Sequence, residues 1–368
     1  MAVVASAVVA AGAAAGVLAA VAEEGQRTTA RPETTASPTV APLPAVPSPT
    51  ATSPSPSAPA PSTAPARRPS KRPASRGAAV PPDGRLYRHP ASQVLDWVAA
   101  HRDDPRRPLI ETRIAAQPAA VWFAAYNPGA ITGQVRSVTA AAARAGRTPV
   151  LVSYAIPDRD CGGASQGGAP GLAEYDAWVR QFAAGLGGGP VIVILEPDAI
   201  ALADCLSAGR RAARYASLAR AGRALHAANP RARVYFDGGH SGWHTSSEQA
   251  AALRAAGAAS SGDGIFTNVS NFHRTADEAA YARRVLAALG GPARLGAVID
   301  TSRNGNGAPK AGEWCDPAGR ALGRTPTTDT GESRVDAYLW VKLPGESDGC
   351  KGAAGSFTPD YAYQLATG

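Results

Sequence analysis

Five aspartates lie at or just beyond the ends of short apolar runs in this 368-residue chain. In chain order they are Asp160, Asp198, Asp237, Asp300 and Asp348. If the apolar runs are strands of one parallel sheet or barrel, the carboxylates converge on a single rim, where such folds keep their chemistry. The arrangement predicts an enzyme that uses acid and base catalysis.

Asp160 lies in a turn-rich loop, IPDRDCGGASQGGAP, after an apolar run that ends at Tyr154. Its neighbour Arg159 would hold the carboxylate ionised, because a nearby cation favours the charged form. A surface Arg–Asp pair is the simpler interpretation of such a dipeptide. Because Asp160 follows the end of a predicted strand, however, we favour a role for it in a functional site.

Asp198 follows the apolar run VIVIL, with Glu196 two positions before it. Residues two apart on a strand point to the same side, so both carboxyls should face one way. A carboxyl emerging from an apolar strand is partly desolvated, which favours its protonated form and suits a general acid. Asp198 could also cap a helix after Pro197, and the two roles are compatible.

Aromatic and amide side chains accompany these carboxylates. The segment FDGGHSGWH carries Asp237, His240 and Trp243, and TNVSNFH carries Asn271. Further flat apolar faces come from Trp122 and Trp314. Pyranose rings stack on aromatic faces while their hydroxyls need polar partners. Core packing explains any one tryptophan, but the set predicts a sugar-binding cleft.

A last cluster, WVKLPGESDGC, brings Lys342, Glu346 and Asp348 together. Hydrolysis of a glycosidic bond requires two flanking carboxyl groups, and their separation decides between retention and inversion of the anomeric carbon. Spacing along the chain leaves that separation open.

The elements that position these groups follow a strand-then-helix alternation. The predicted strands are 119–123, 149–154, 190–195, 233–236, 264–269, 295–300 and 336–341. The predicted helices are 131–146, 172–186, 208–228, 245–257 and 275–290. Such alternation specifies parallel strands with helical crossovers. We expect an α/β fold, a distorted TIM-like parallel β/α barrel of about seven strands. A dinucleotide-binding fold is disfavoured, because no glycine-rich fingerprint follows the first strand.

Three regions are predicted. Residues 1–22 are almost unbroken Ala, Val, Gly and Leu, which fits a secretory signal peptide or, if uncleaved, a membrane anchor. Residues 23–82 are predicted to be a disordered linker, because Arg27 to Pro82 is rich in Pro, Ser, Thr and Ala and holds 15 of the 32 prolines. Residues 83–368 are predicted to form a single catalytic domain.

The positive charge of the chain comes mainly from the linker. Seven basic residues between Arg27 and Pro82 face one acid, Glu33, so this part of the linker carries +6 of the net +8. A nucleic-acid-binding protein would place basic residues on the folded domain with aromatics among them. We therefore expect no nucleic-acid partner.

All four cysteines, Cys161, Cys205, Cys315 and Cys350, lie in the predicted domain. An even count in an exported chain favours two disulfides, and pairing in sequence order is the simplest arrangement. A zinc site is the alternative, disfavoured because no two cysteines are closely spaced. No metal and no cofactor are expected.

Several segments resemble glycoside hydrolase family 6, the inverting β-1,4-glucanases. They are YAIPDRDCGG, ILEPDAIA, YFDGGHSGWH, IDTSRNGNG, EWCDPAGRALG and LWVKLPGESDGC, and the match runs in order from about Leu86 to the C-terminus. The resemblance implies that Asp198 is the general acid and that Asp160 raises its pKa and organises the water. It also places the disputed catalytic base at Asp348, with a water chain that reaches Asp160 as the alternative. The residue that presses on the distorted sugar falls on Tyr154.

The same resemblance implies which residues bind substrate and which cysteines pair. The substrate-binding positions are Trp122, His240, Trp243, Asn271, Trp314, Lys342 and Glu346. The disulfides would be Cys161–Cys205 and Cys315–Cys350. To these we add Arg159, Ser165 and Asp237 as candidates. Family members hold the catalytic water with a serine after the Arg-Asp-Cys motif, and here either Ser165 or Gln166 occupies that place.

The sequence thus predicts a secreted, monomeric endo-β-1,4-glucanase that binds a cellulose-like β-glucan and inverts the anomeric carbon. Endo action is expected because the segment between Asn271 and Asp300 is short, which leaves an open cleft. The alternative is a glucan-binding surface protein with weakened hydrolysis. A different specificity, such as mixed-linkage glucan, also stays open. Membrane association is expected only if residues 1–22 remain attached.

Overall fold

Seven parallel strands form one sheet in the computed structural model, which describes residues 85–310 and 312–368. The strands are β1 (Val121–Phe123), β2 (Val150–Ser153), β3 (Val191–Leu195), β4 (Ala232–Asp237), β5 (Gly264–Thr267), β6 (Gly296–Asp300) and β7 (Val335–Leu339). Their spatial order is their chain order, and every neighbouring pair is parallel. The predicted α/β architecture with seven parallel strands is confirmed.

The helices are α1 (Gln93–Ala100), α2 (Arg107–Ile110), α3 (Ile131–Arg144), α4 (Leu172–Ala184), α5 (Ala208–Ala228), α6 (Ser246–Ala255), α7 (Ala258–Ser261), α8 (Thr275–Leu289) and α9 (Pro359–Thr367). The five predicted crossover helices correspond to α3, α4, α5, α6 and α8 and end within two residues of the predicted bounds. The other four were not predicted, because they are short or lie outside the repeating alternation. A π-helical turn, Glu111–Ala115, continues α2.

Local sequence explains where some helices begin and end. Thr245 and Glu248 form a reciprocal capping box at the start of α6, in which each side chain accepts from the other residue's backbone N–H. Helix α8 ends at Gly290, whose φ of +73° suits glycine.

The strands bury both faces. Alternate residues such as Leu151, Val193 and Val234 pack toward the helices, in the large core between sheet and helix layer. The residues between them, such as Val152 and Ile194, fill the concave side. Strands buried on both faces read as continuous apolar runs, which is why VLV and VIVIL lack polar alternation.

The sheet curls so that its two edge strands approach each other. Just before β1, the N–H of Ala120 donates to the carbonyl of Trp340, just after β7, at 2.9 Å. The indole Nε1 of Trp122 donates to the carbonyl of Val341 at 2.7 Å. The seven strands thus form a strongly curled, distorted barrel, and the carboxyl ends of all strands face one rim.

Both disulfides are present, Cys161–Cys205 with Cα atoms 6.1 Å apart and Cys315–Cys350 at 5.8 Å. This pairing agrees with the resemblance and leaves no thiolate for the zinc alternative. In the part of the chain that the structure covers, no helix is long and apolar enough to cross a membrane. The predicted signal or anchor (1–22) and linker (23–82) lie outside the described residues, so these boundaries stay predictions.

Candidate active site

A cavity of about 1340 Å³ opens at the carboxyl ends of the strands. Its wall includes every residue that the sequence placed in the site except Asp237. These are Trp122, Tyr154, Arg159, Asp160, Ser165, Asp198, His240, Trp243, Asn271, Trp314, Lys342, Glu346 and Asp348. Loops that are far apart in sequence thus meet because they follow neighbouring parallel strands.

Asp198 has the environment of a protonated carboxyl. Burial, together with the negative charges of Asp237 and Asp160, raises its pKa to about 8, while a hydrogen bond from Tyr154 acts in the opposite direction. Its backbone is held at φ +68°, in the left-handed region that a non-glycine residue adopts only at a cost. At neutral pH this group can donate a proton.

Asp160 is held by Ser165. Its Oδ2 accepts from the backbone N–H of Ser165 at 2.7 Å and from the Ser165 hydroxyl at 3.0 Å. The same hydroxyl lies 2.8 Å from the Tyr154 hydroxyl. A hydrogen-bonded chain therefore runs from Tyr154 through Ser165 to Asp160. Gln166 is exposed beside this chain.

Arg159 was expected to pair with the carboxylate of Asp160, and the structure differs from this expectation. It forms no ion pair with Asp160 among the described residues; its guanidinium donates to three backbone carbonyls, those of Ala124 and Ser165, both at 2.7 Å, and that of Tyr154. It also lies 4.5 Å above the Tyr154 ring. Arg159 therefore holds the loop and the tyrosine in place, because its Nε and Nη1 groups donate to backbone carbonyls of three residues.

Asp348 is bound by two cations. Its Oδ2 accepts from Nη1 of Arg303 at 2.7 Å, and its Oδ1 lies 3.4 Å from Nζ of Lys342. The Arg303 side chain is wholly buried and lies 4.4 Å above the ring of Phe272. The buried guanidinium is stabilised by its ion pair with the Asp348 carboxylate and by its cation–π contact with the Phe272 ring.

Glu346 lies beside Asp348 on the cavity wall. Burial raises its pKa to about 7, although the neighbouring charges of Lys342 and Arg303 favour ionisation. Asp348 adds to the rise by like-charge repulsion. Near neutral pH Glu346 is therefore able to donate as well as accept a hydrogen bond, which suits contact with sugar hydroxyls.

Asp237, predicted to bind substrate, does not line the cavity. It is 1% exposed and lies outside the cavity wall. Its carboxylate accepts from the backbone N–H groups of Ile200, Ala201 and Gly239 at 2.8–2.9 Å. It therefore fixes the turn that follows Asp198.

The carboxyl groups of Asp300 and Glu196 are also buried, and they too accept hydrogen bonds from backbone N–H groups. Asp300 accepts from the N–H groups of Ser270, Ser302 and Lys342, in loops that follow different strands. Each of these carboxylates satisfies backbone donors that would otherwise be buried without partners. The five-aspartate pattern thus contains cavity groups and scaffold groups, and burial separates them.

The aromatic groups border the cavity. Trp314 is 55% exposed and Trp243 is 37% exposed, whereas tryptophan side chains are on average largely buried in folded proteins. Trp122 meets the Tyr154 ring edge to face at 5.4 Å. These exposed faces are available for stacking on a flat ligand.

The sequence reasoning missed two groups, the buried Arg303 that binds Asp348 and the cavity residue His273. Arg303 lies in IDTSRNGNG, where a charged residue directly after an apolar strand was a usable signal. His273 stacks on His240 with ring centroids 4.2 Å apart. Burial lowers the pKa of both imidazoles, that of His240 to about 3, so both are neutral at neutral pH. No local sequence pattern predicts this stacking of His240 on His273, because the two histidines follow different strands.

Among the described residues, no group of three or more His, Cys, Asp or Glu side chains could hold a metal ion. The cavity brings the carboxyl of Asp198, whose pKa is raised to about 8, together with the carboxyls of Asp160 and Asp348. The model of the family "Glycosyl hydrolases family 6" matches residues 84–367. The chain belongs to glycosyl hydrolase family 6.

Family 6 relatives cover most of this chain. Endoglucanase 1 of Streptomyces sp. (strain KSM-9) is 56% identical over 293 residues, 79% of this chain and 80% of that protein. Endoglucanase A of Thermobispora bispora is 50% identical over the same share of this chain, which spans 64% of that protein's length.

A solved family 6 structure also matches. The endoglucanase Cel6 from Mycobacterium tuberculosis, in complex with methyl-cellobiosyl-4-deoxy-4-thio-β-D-cellobioside, gives a TM-score of 0.72 at 40% identity. The match covers 77% of this chain and 97% of that one. This family 6 chain is therefore a glycoside hydrolase, as the resemblance of its motifs indicated.

Proposed function

We propose that this family 6 hydrolase is an extracellular endo-β-1,4-glucanase that cleaves internal bonds of a cellulose-like β-glucan and inverts the anomeric carbon. The observation that carries the proposal is the protonated carboxyl of Asp198 in one cavity with Asp160 and Asp348. Support for endo action comes from the endoglucanase names of the relatives at 56% and 50% identity.

In the proposed reaction Asp198 donates its proton to the glycosidic oxygen as the bond to the anomeric carbon breaks. A water molecule attacks that carbon from the opposite face and loses a proton to a base. The products are a reducing end of inverted configuration and a free hydroxyl on the leaving chain. Asp198 is then reprotonated from solvent.

The contacts favour Asp160 as the acceptor of the water's proton. Both oxygens of Asp348 are already engaged by cations, Oδ2 by Arg303 at 2.7 Å and Oδ1 by Lys342 at 3.4 Å. Asp160, by contrast, uses only Oδ2 to accept from Ser165, and within residues 85–310 and 312–368 its Oδ1 accepts no hydrogen bond. Oδ1 can therefore receive a proton directly or through one further water.

The tryptophans and the neutral imidazoles support binding of an uncharged polymer. Trp122, Trp243 and Trp314 offer stacking faces along the cavity, and His240 adds a neutral hydrogen-bonding group. We propose that Asn271, Lys342 and Glu346 bind hydroxyls of the sugars. We expect the enzyme to act as a monomer.

The deciding experiment follows the anomeric proton by NMR during early hydrolysis of a cello-oligosaccharide. The α-anomer should appear first, before mutarotation. A first-formed β-anomer would refute inversion.

Endo action is measured separately, as viscosity loss against reducing ends on a soluble β-1,4-glucan. Viscosity should fall steeply while few reducing ends form. Asp198→Asn is the control and should leave the polymer intact. Retardation of the polymer in a gel without shortening, by the wild-type protein, would indicate a binding protein instead.

A further inference from the structure

The short segment from Ala155 to Asp160 connects two groups of the active site. It begins directly after Tyr154 at the end of β2 and ends at Asp160. Its course therefore sets where the tyrosine and the aspartate lie relative to Asp198.

A buried carboxylate holds the first half of this segment. Glu196 is 0% exposed, and its Oε2 accepts from the backbone N–H groups of Ala155 and Ile156, both at 2.9 Å. Glu196 precedes Asp198 by two residues and is itself held at φ +51°. It therefore joins the loop of the proposed acid to the loop that leads to Asp160.

A buried cation holds the second half. Arg214, on α5, is 2% exposed, and its Nη2 donates to the carbonyl oxygens of Pro157 at 2.7 Å and Asp158 at 3.0 Å. Glu196 and Arg214 thus bind the same segment with opposite polarity. One accepts from its N–H groups, and the other donates to its carbonyls.

Burying these two ionisable side chains costs free energy unless hydrogen bonds and neighbouring charges compensate for the lost hydration. Burial disfavours the charged form of both side chains and raises the pKa of Glu196 to about 7, and Arg214 forms no ion pair within the described residues. The charge of Glu196 nevertheless favours the cation on Arg214. Buried charges persist where hydrogen bonds and a complementary charge compensate for lost hydration.

The segment needs external support because its backbone is strained. Asp158, Asp160 and Cys161 have φ of +52°, +54° and +49°, in the left-handed region. Such conformations persist only where the surroundings over-determine them. The far side of the segment is closed as well, since a Cβ on Gly168 would lie 2.0 Å from the carbonyl oxygen of Ile156.

We propose that Glu196 and Arg214 form a clamp, one accepting from and the other donating to the backbone of this segment, that positions Tyr154 and Asp160 for the reaction. Neither contacts the cavity, so they are positioning residues. This inference rests on the proposed catalytic roles of Asp160 and Tyr154.

The test compares Arg214→Met, Arg214→Lys and Glu196→Gln by kcat and KM on a cello-oligosaccharide, well below each variant's Tm. Arg214→Met should lower kcat at least about tenfold, because a displacement of about 1 Å can cost ~100-fold in rate. KM should change less than about twofold, since the tryptophans stay in place. Arg214→Lys keeps a donor and should recover part of kcat.

The double variant Glu196→Gln/Arg214→Met tests whether the two residues act as a unit. Its kcat loss should be smaller than the product of the two single losses, because the first substitution already releases the segment. Multiplicative losses would overturn the pairing.

Two controls separate positioning from general destabilisation. Arg210→Ala removes an exposed cation of the same helix that pairs with the side chain of Asp158, and it should keep kcat within about twofold. Leu253→Ala weakens the core beneath α6, away from the cavity, and should lower Tm while kcat stays unchanged.

The clamp is refuted if Arg214→Met and Glu196→Gln remain folded with wild-type kcat, or if their losses appear in KM. If Arg214→Met does not fold, Arg214→Lys and Glu196→Gln decide by the same criteria. Asp160→Asn separates the clamp from the proposed function. An inactive Asp160→Asn beside fully active clamp variants removes the clamp alone, whereas wild-type turnover in Asp160→Asn removes the catalytic role on which it rests.

Discussion

Replacing Asp198 by Asn should abolish most activity and, at neutral pH, make the protein more stable. The loss of activity follows from the loss of the proton donor, a contribution of about 100- to 10,000-fold. The gain in stability follows from the raised pKa. The pKa of this carboxyl is near its ordinary value of 3.8 in the unfolded chain and about 8 in the native state.

The sign of the pH dependence is set by proton binding. Below pH 3.8 both states hold the proton, so the carboxyl costs nothing. Between pH 3.8 and about 8 the unfolded state releases it and the native state keeps it, so native stability falls as pH rises. At pH 7 the cost reaches about 4 kcal/mol for a fully desolvated group at ~1.36 kcal/mol per pH unit. Solvent reaches this cavity wall, so we expect about half, ~2 kcal/mol, or roughly 4 °C in Tm.

The assay is thermal unfolding of wild type and Asp198→Asn from pH 4 to pH 8. The Tm difference should be near zero at pH 4 and grow toward pH 8 in favour of the variant. Asp104→Asn is the opposite control, because Arg106 holds the pKa of Asp104 at about 2 and its removal should destabilise the protein above pH 4. A Tm difference for Asp198→Asn that is independent of pH, or a less stable variant at pH 7, would contradict a neutral buried carboxyl.

Three further outcomes are expected. The kcat/KM of the wild type should fall about tenfold per pH unit above pH 8, as Asp198 loses its proton; a pH–rate profile without this alkaline limb contradicts the raised pKa. Ser165→Ala should lower kcat at least tenfold while Gln166→Ala keeps it, because the serine bonds Asp160 and the glutamine is exposed; the reverse ranking in steady-state kinetics would assign the water to Gln166. Replacing both cysteines of Cys161–Cys205 by Ser should cost about 4 kcal/mol of unfolding free energy in urea titrations, since the bond closes a 44-residue loop, and an unchanged midpoint would contradict this.

Much of the architecture was predictable because it rests on local signals. The run VIVIL is apolar without alternation, and a strand buried on both faces requires such a run. Helix α5 was predicted with its observed bounds, Ala208–Ala228, because its Ala-rich sequence starts after Ser207, whose side chain caps it. Helices α1 and α9 escaped prediction, since they lie outside the strand–helix repeat.

The composition of the cavity was also largely predictable, because parallel strands bring their carboxyl ends to one rim. What local pattern could not distinguish is a carboxylate that faces the cavity from one that faces the scaffold. Asp198 and Asp237 both follow apolar strands, yet only Asp198 lines the cavity. The difference depends on which backbone N–H groups lie nearby, and these belong to other loops.

The sequence by itself determined the strand–helix order, the groups available at the rim and the family motifs, because these depend on residue type and spacing along one segment. Only the tertiary structure decided the charge state and the partners of each group. Asp198 is neutral because burial and two distant aspartates act on it together, and Arg159 binds carbonyls because three loops present them. Electrostatic free energy depends on separations in space, and residues far apart in the chain set those separations.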